Sequence, residues 1–326
     1  MKPAAVLLFF VLAGGWAGAL PGRAAEFALT DGNRITDQGG RQLVVERPFG
    51  RIISLYGAHT ENLFALGLEH EIIGVTRHES YPPAARRKPV FSYHDDPEKF
   101  LAARPDLVLV RPMIDRGYRP LMARLEKSGI AVVSLQPGTI QEMYRYWEIL
   151  GVLAGRRAEA AALTKRFQQA VSAFGALAER VQAPKRVFFE AIHSKMKTFS
   201  PNAMPIFALE TAGGINLAAD APPVRGTNIA AYGTERILSH AAELDVYLAQ
   251  QGVMNRISRE TIIATPGFTA LKAVRENAVF LVDEAIVARP TPRLLLGIAA
   301  IGRILYPSVF EPSAAAILRA AGLAPA

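Results

Sequence analysis

From Arg157 to Gln182 the chain contains no proline, one glycine (Gly175) and mostly Ala, Glu, Leu, Lys, Arg and Gln. That composition predicts one helix of roughly 25 residues, about 37 Å long at 1.5 Å per residue. Such a helix is longer than one α/β lobe needs to cover its sheet, and it is long enough to span two. The flanking sequence has the matching rhythm. Before it, strand-like runs at 51–55, 72–75, 107–110 and 131–135 alternate with helical spacing at 60–66, 97–103, 120–128 and 139–153. A weak hairpin pattern over 27–43 precedes them, with turns at Asp31-Gly32 and Gly39-Gly40. After Pro184 the alternation restarts, with strands at 187–190, 244–248 and 279–282. The helices of this half are at 206–212 and 234–239, with a closing one at 294–305. Strands alternating with helices predict βαβ units and mainly parallel sheets. Trp147, in step with Met143 and Leu150, is expected in the core.

Size and composition agree with two lobes. Single cores rarely exceed about 250–300 residues, and this chain has 326. Half the residues are hydrophobic and 20% charged, an ordinary globular balance. The start reads as an export signal over residues 1–25: Lys2, then an apolar stretch from Ala4 to Ala13, then small residues at Ala17-Gly18-Ala19 and Gly22-Arg23-Ala24. A retained anchor is the alternative, but the apolar core falls short of the roughly 20 residues of a span. Cysteine is absent. An exported chain without it has no disulfides and no thiol to carry a lipid, so a freely diffusing periplasmic protein is expected. The formal charge of +8 becomes +6 once Lys2 and Arg23 leave with the signal. Export sets nucleic acid aside, and a mildly basic solvated surface accounts for the rest.

A set of short motifs in order carries a resemblance. They are Arg51-Ile-Ile-Ser-Leu55, Thr60-Glu61, Phe64-Ala-Leu-Gly67, Ile73-Gly-Val75 and Tyr81-Pro-Pro83. Arg104-Pro-Asp-Leu-Val-Leu109, Leu125-Glu-Lys-Ser-Gly-Ile130, Gly213-Gly-Ile-Asn216 and Arg289-Pro-Thr-Pro-Arg293 follow. Together they resemble the periplasmic substrate-binding proteins of ABC importers for iron-siderophore, haem and cobalamin. The resemblance implies an α/β fold of two Rossmann-like lobes, 26–156 and 184–326, joined by one backbone helix at 157–183 with the ligand cleft between the lobes. It implies a monomer with no intrinsic cofactor, working with a membrane permease and its ATPase. It also implies one outward-facing acid per lobe, Glu98 and Glu235, pairing with permease arginines. Helix geometry offers a plainer role for both, since a first-turn acid favours the helix dipole.

The cleft is expected at the carboxyl ends of the strands. That places Tyr56, His59, Tyr93, His94 and Arg111 of the first half in it. His193, Arg225, Tyr232 and Arg289 come from the second. Tyrosine stacks on flat ligands or, ionised, ligates ferric iron; histidine ligates an open metal position; arginine pairs with anionic chelates. The plainer alternatives are loop polarity for Tyr93 and His94, a helix-start role for His59, a cleft-rim position for His193 and a structural salt bridge for Arg289 and Arg293. In the family, cobalamin receptors place tryptophans where Tyr93 and Tyr232 stand, which puts an iron complex (siderophore or haem) narrowly ahead of cobalamin. An exported metal-dependent hydrolase built on Tyr93-His94-Asp95-Asp96 is the rival from another class. No nucleophile elbow, His-Glu-x-x-His or phosphate loop is present.

Overall fold

A computed structural model describes residues 26–324. The expected signal segment therefore lies outside the described residues. The first ordered unit is a three-stranded antiparallel meander, Ala28–Thr30, Arg34–Thr36 and Gln42–Val44, one strand more than the hairpin expected from 27–43. Its turn uses left-handed backbone at Asp31 and Gly32. Buried Asp37 ties the meander to the first lobe by accepting from the backbone N–H groups of Gly39, Arg41 and, across the junction, Ser134 at 2.8 Å. Arg41 then forks onto Asp115 at 2.8 and 2.7 Å.

The first lobe is a four-stranded parallel sheet in the order Ile72–Gly74, Ile52–Ser54, Leu107–Val110, Ala131–Ser134. Every residue of Leu107–Val110 is buried, as its unbroken apolar run requires of a strand covered on both faces. Strand Ile52–Ser54 has its sequential successor on one side and the later Leu107–Val110 on the other. The strand order therefore reverses at its carboxyl end, which is where open α/β sheets bind ligands.

The second sheet runs Ile229–Ala231, Lys197–Phe199, Arg186–Ile192, Val246–Gln251, Val279–Asp283, with Ile215–Asn216 paired to the start of Arg186–Ile192. Two pairings are antiparallel, Lys197–Phe199 on Arg186–Ile192 and Ile229–Ala231 on Lys197–Phe199, so this sheet is mixed where a mainly parallel one was expected. These two strands have three residues each, too few to show a period.

The long helix is Arg157–Ala178, several residues shorter than predicted. Beyond it the N–H groups of Arg180 and Val181 reach back three residues, to Leu177 and Ala178, instead of four. The helix thus closes in a tightened turn ahead of Pro184, which disfavours helical backbone before it. Phe167, in the helix's first half, packs on fully buried Trp147, centroids 5.2 Å apart. Phe174, in the second half, stacks on Phe310 at 6.1 Å. Phe310 belongs to Pro307–Ala320, a further helix beyond the expected closing one. The long helix therefore holds one lobe at each end.

Candidate functional site

Three neighbouring strands end at the carboxyl edge of the first sheet, where a ligand cleft is expected. Tyr56 follows Ile52–Ser54, Glu79 lies on the loop after Ile72–Gly74, and Arg111 follows Leu107–Val110. The Arg111 guanidinium lies 5.2 Å from the Tyr56 ring centroid, and its Nε is buried without a partner among the described residues. Burial raises the Tyr56 phenol above the usual tyrosine range, even with Arg111 and Arg289 pulling it down. Tyr56 is thus a neutral stacking and hydrogen-bonding group near neutral pH.

The second lobe reaches this edge through Arg289 and Arg293. Glu61, 3% exposed, receives Arg293 Nε at 2.9 Å and Nη2 at 2.8 Å, and Arg289 Nη1 at 2.7 Å. Beside it, Asn62 Nδ2 donates to Pro290 O at 2.9 Å. One short stretch of helix Gly57–Ala65 thus grips the Arg289–Arg293 segment with charge-assisted bonds, which are strong when both partners leave water together. Arg293 also covers the Tyr81 ring at 4.4 Å. Both arginines have the salt-bridge role given as the plainer alternative, and Arg289 in addition borders this edge beside Gly57.

His59 is inside the helix and fully buried. Its Nε2 donates to Val110 O at 3.0 Å, and its Nδ1 accepts from the Tyr146 hydroxyl at 2.6 Å. This pairing requires the neutral ring, and burial lowers its pKa to about 4. The expected cleft ligand is a core residue, because the helix begins at Gly57 rather than Thr60 and turns the ring inward. Tyr232 is likewise corrected. It packs on Phe188 in the second lobe's core, and its hydroxyl donates to Leu217 O at 3.3 Å.

His193 follows strand Arg186–Ile192, with Nδ1 on buried Glu190 at 2.7 Å and Nε2 3.3 Å from Thr265 Oγ1. Tyr247 and Asn255 complete the shell around Glu190. Arg225 is exposed on the left-handed turn Val224–Gly226, apart from these contacts. At the first lobe's rim Tyr93, His94 and Tyr118 form an aromatic cluster with centroids 4.6 to 4.9 Å apart, His94 exposed. Asp95, which the hydrolase reading needed, instead accepts from Ser92 N–H and pairs with Lys99 at 2.6 Å. Among the described residues no three His, Asp or Glu side chains converge on a metal position.

Glu98 and Glu235 are exposed in the first turns of Pro97–Ala103 and Thr234–Ser239. Both helices lead back to the start of a parallel strand, so both begin towards the carboxyl ends of their sheets.

The model for the family described as periplasmic binding protein matches residues 52–286. The chain belongs to this family. Its members bind solutes and are not enzymes, which removes the hydrolase alternative, and they act outside the cytoplasm. No helix among the described residues is long and apolar enough to cross a membrane. A relative in Bacillus subtilis, the uncharacterized ABC transporter substrate-binding lipoprotein YvrC, is 25% identical over 286 residues, covering 85% of this chain and 86% of the relative. The vitamin B12-binding protein of Vibrio cholerae is 25% identical over 252 residues, 76% of this chain and 86% of that one. Among solved structures, a possible iron-binding periplasmic solute-binding protein from Staphylococcus epidermidis superposes with a TM-score of 0.70 at 24% identity. The match covers 80% of this chain and all of that one. The two-lobe architecture joined by a long helix is the family's fold.

Sequence reasoning passed over Glu79 and treated Glu61 and Tyr81 only as parts of motifs. It also missed Met254, 47% exposed beyond strand Val246–Gln251, and Met113, 52% exposed two residues after Arg111. The last two follow the carboxyl ends of apolar strands, and methionine side chains adapt to partners of varied shape.

Proposed function

We propose that this protein is the solute receptor of an ABC importer and that its cargo is a metal chelate with a complete coordination shell, a corrinoid ahead of haem. The employment of the histidines carries this reading. Both ring nitrogens of His59 and both of His193 already face protein partners. The carboxyl edge of the first sheet therefore offers stacking, hydrogen bonding and positive charge, which suits a ligand whose metal needs nothing from the protein. The named ligand of the Vibrio cholerae relative is of that kind. Haem is the second reading, supported by exposed His94 beside Tyr93 and Tyr118, whose hydroxyl lies 3.1 Å from its Nε2 and would have to yield that nitrogen to an axial site.

Glu98 and Glu235, one exposed acid on each lobe, are proposed to set the orientation of docking on the permease. Absorbance titration of the mature protein with cyanocobalamin, haemin and a ferric hydroxamate tests the cargo. The corrinoid should saturate one site at the lowest concentration. Tight haemin binding with a shifted Soret band, lost on His94→Ala, would reverse the order of the two readings.

A further inference from the structure

Glu79 is 7% exposed, and only one of its carboxylate oxygens is occupied: Oε1 accepts from the Thr76 hydroxyl at 2.7 Å and from Thr76 N–H at 3.3 Å. Oε2 is buried and has no partner. The nearby Thr60 hydroxyl is spent on Ser54 Oγ at 2.8 Å. An unpartnered buried acceptor is costly, and each one in a native structure calls for an explanation, such as a water, an ion or a ligand group that completes it.

The oxygen and a guanidinium border the same small space. A methyl group built on Gly57 would stand 3.4 Å from Glu79 Oε2 and 3.2 Å from Arg289 Nη1. Gly57 has no side chain to fill this notch, and it sits at the switch point of the first sheet, directly after Tyr56. The notch thus presents one open acceptor and a guanidinium with donors beyond the one given to Glu61.

We propose that this notch is a subsite for one side-chain carboxamide of the ligand, whose N–H is accepted by Glu79 Oε2 and whose oxygen faces Arg289. The inference rests on the corrinoid reading, since a corrin ring carries such amides. It also supplies discrimination: a carboxylate in the same place sets its negative charge against Glu79. Burial raises the Glu79 carboxyl above its ordinary range, and an N–H arriving at Oε2 offsets part of that loss.

Two variants test it on the mature protein, titrated with dicyanocobinamide and with dicyanocobyrinic acid, the same ring with carboxylates in place of the amides. Gly57→Ala puts a methyl group in the notch 3.2 Å from Arg289 Nη1, the atom that Glu61 holds, so Tm is recorded alongside binding. It should weaken dicyanocobinamide roughly ten- to a hundredfold, the range for one hydrogen bond to a charged group. Glu79→Gln should shrink the amide-over-acid preference by roughly tenfold or more, and it serves alone if Gly57→Ala unfolds. If the wild type binds the cobinamide and both variants match it within about twofold in affinity and preference, the subsite is wrong and the corrinoid reading stands. Failure of the wild type to bind either corrinoid overturns both.

Discussion

His59 shows how depth decides the role of a residue. With a folded pKa of about 4 against an ordinary value near 6.5, it takes up its proton in the unfolded chain first as pH falls. Its contribution is therefore complete above pH ~6.5 and lost progressively down to about 4, an order of about 3 kcal/mol. Urea unfolding of the wild type should show this slope between those limits, and His59→Gln should flatten it; an equal slope in both would contradict the assignment. Glu61 is the second sensitive position. Glu61→Ala leaves Arg293 and Arg289 facing each other without their shared carboxylate and should cost about 3–5 kcal/mol in the same measurement, whereas an exposed acid such as Glu98 should cost almost nothing.

At the scale of elements, Leu294–Leu305 and Pro307–Ala320 meet so closely that a methyl group on Gly302 would fall 2.1 Å from Phe310 Cδ1. Gly302→Ala should therefore destabilise the protein by about 1–3 kcal/mol through overpacking, seen as a lower Tm, even though alanine is the better helix former. Elements with strong local signals were legible in the sequence. Pro97–Ala103, Leu107–Val110, Thr234–Ser239 and Leu294–Leu305 lie where period, proline and capping residues predict them. The antiparallel strands of the second sheet were not, because three residues carry no period and their pairing is set by the sheet they join. The site divides the same way. Tyr56 and Arg111 were readable as residues at strand ends. The inward turn of His59 and Tyr232 was not, since packing sets it, and the open oxygen of Glu79 depends on where Gly57 and Arg289 meet in space.

For the whole molecule, the exposed acids on the two lobes make a joint prediction. Glu98→Ala with Glu235→Ala should leave ligand affinity unchanged and abolish uptake by cells carrying the importer; normal uptake would rule out their proposed part in docking. The union of the lobes has its own consequence. The long helix spans them, and Glu61 with Asn62 clasps Arg289, Pro290 and Arg293 across the gap. Separating the lobes at this point means parting three charge-assisted bonds. On the proposed docking role of Glu98 and Glu235, the receiving partner holds one acid on each lobe, and the Glu61 clasp is the contact it must part to open the cleft.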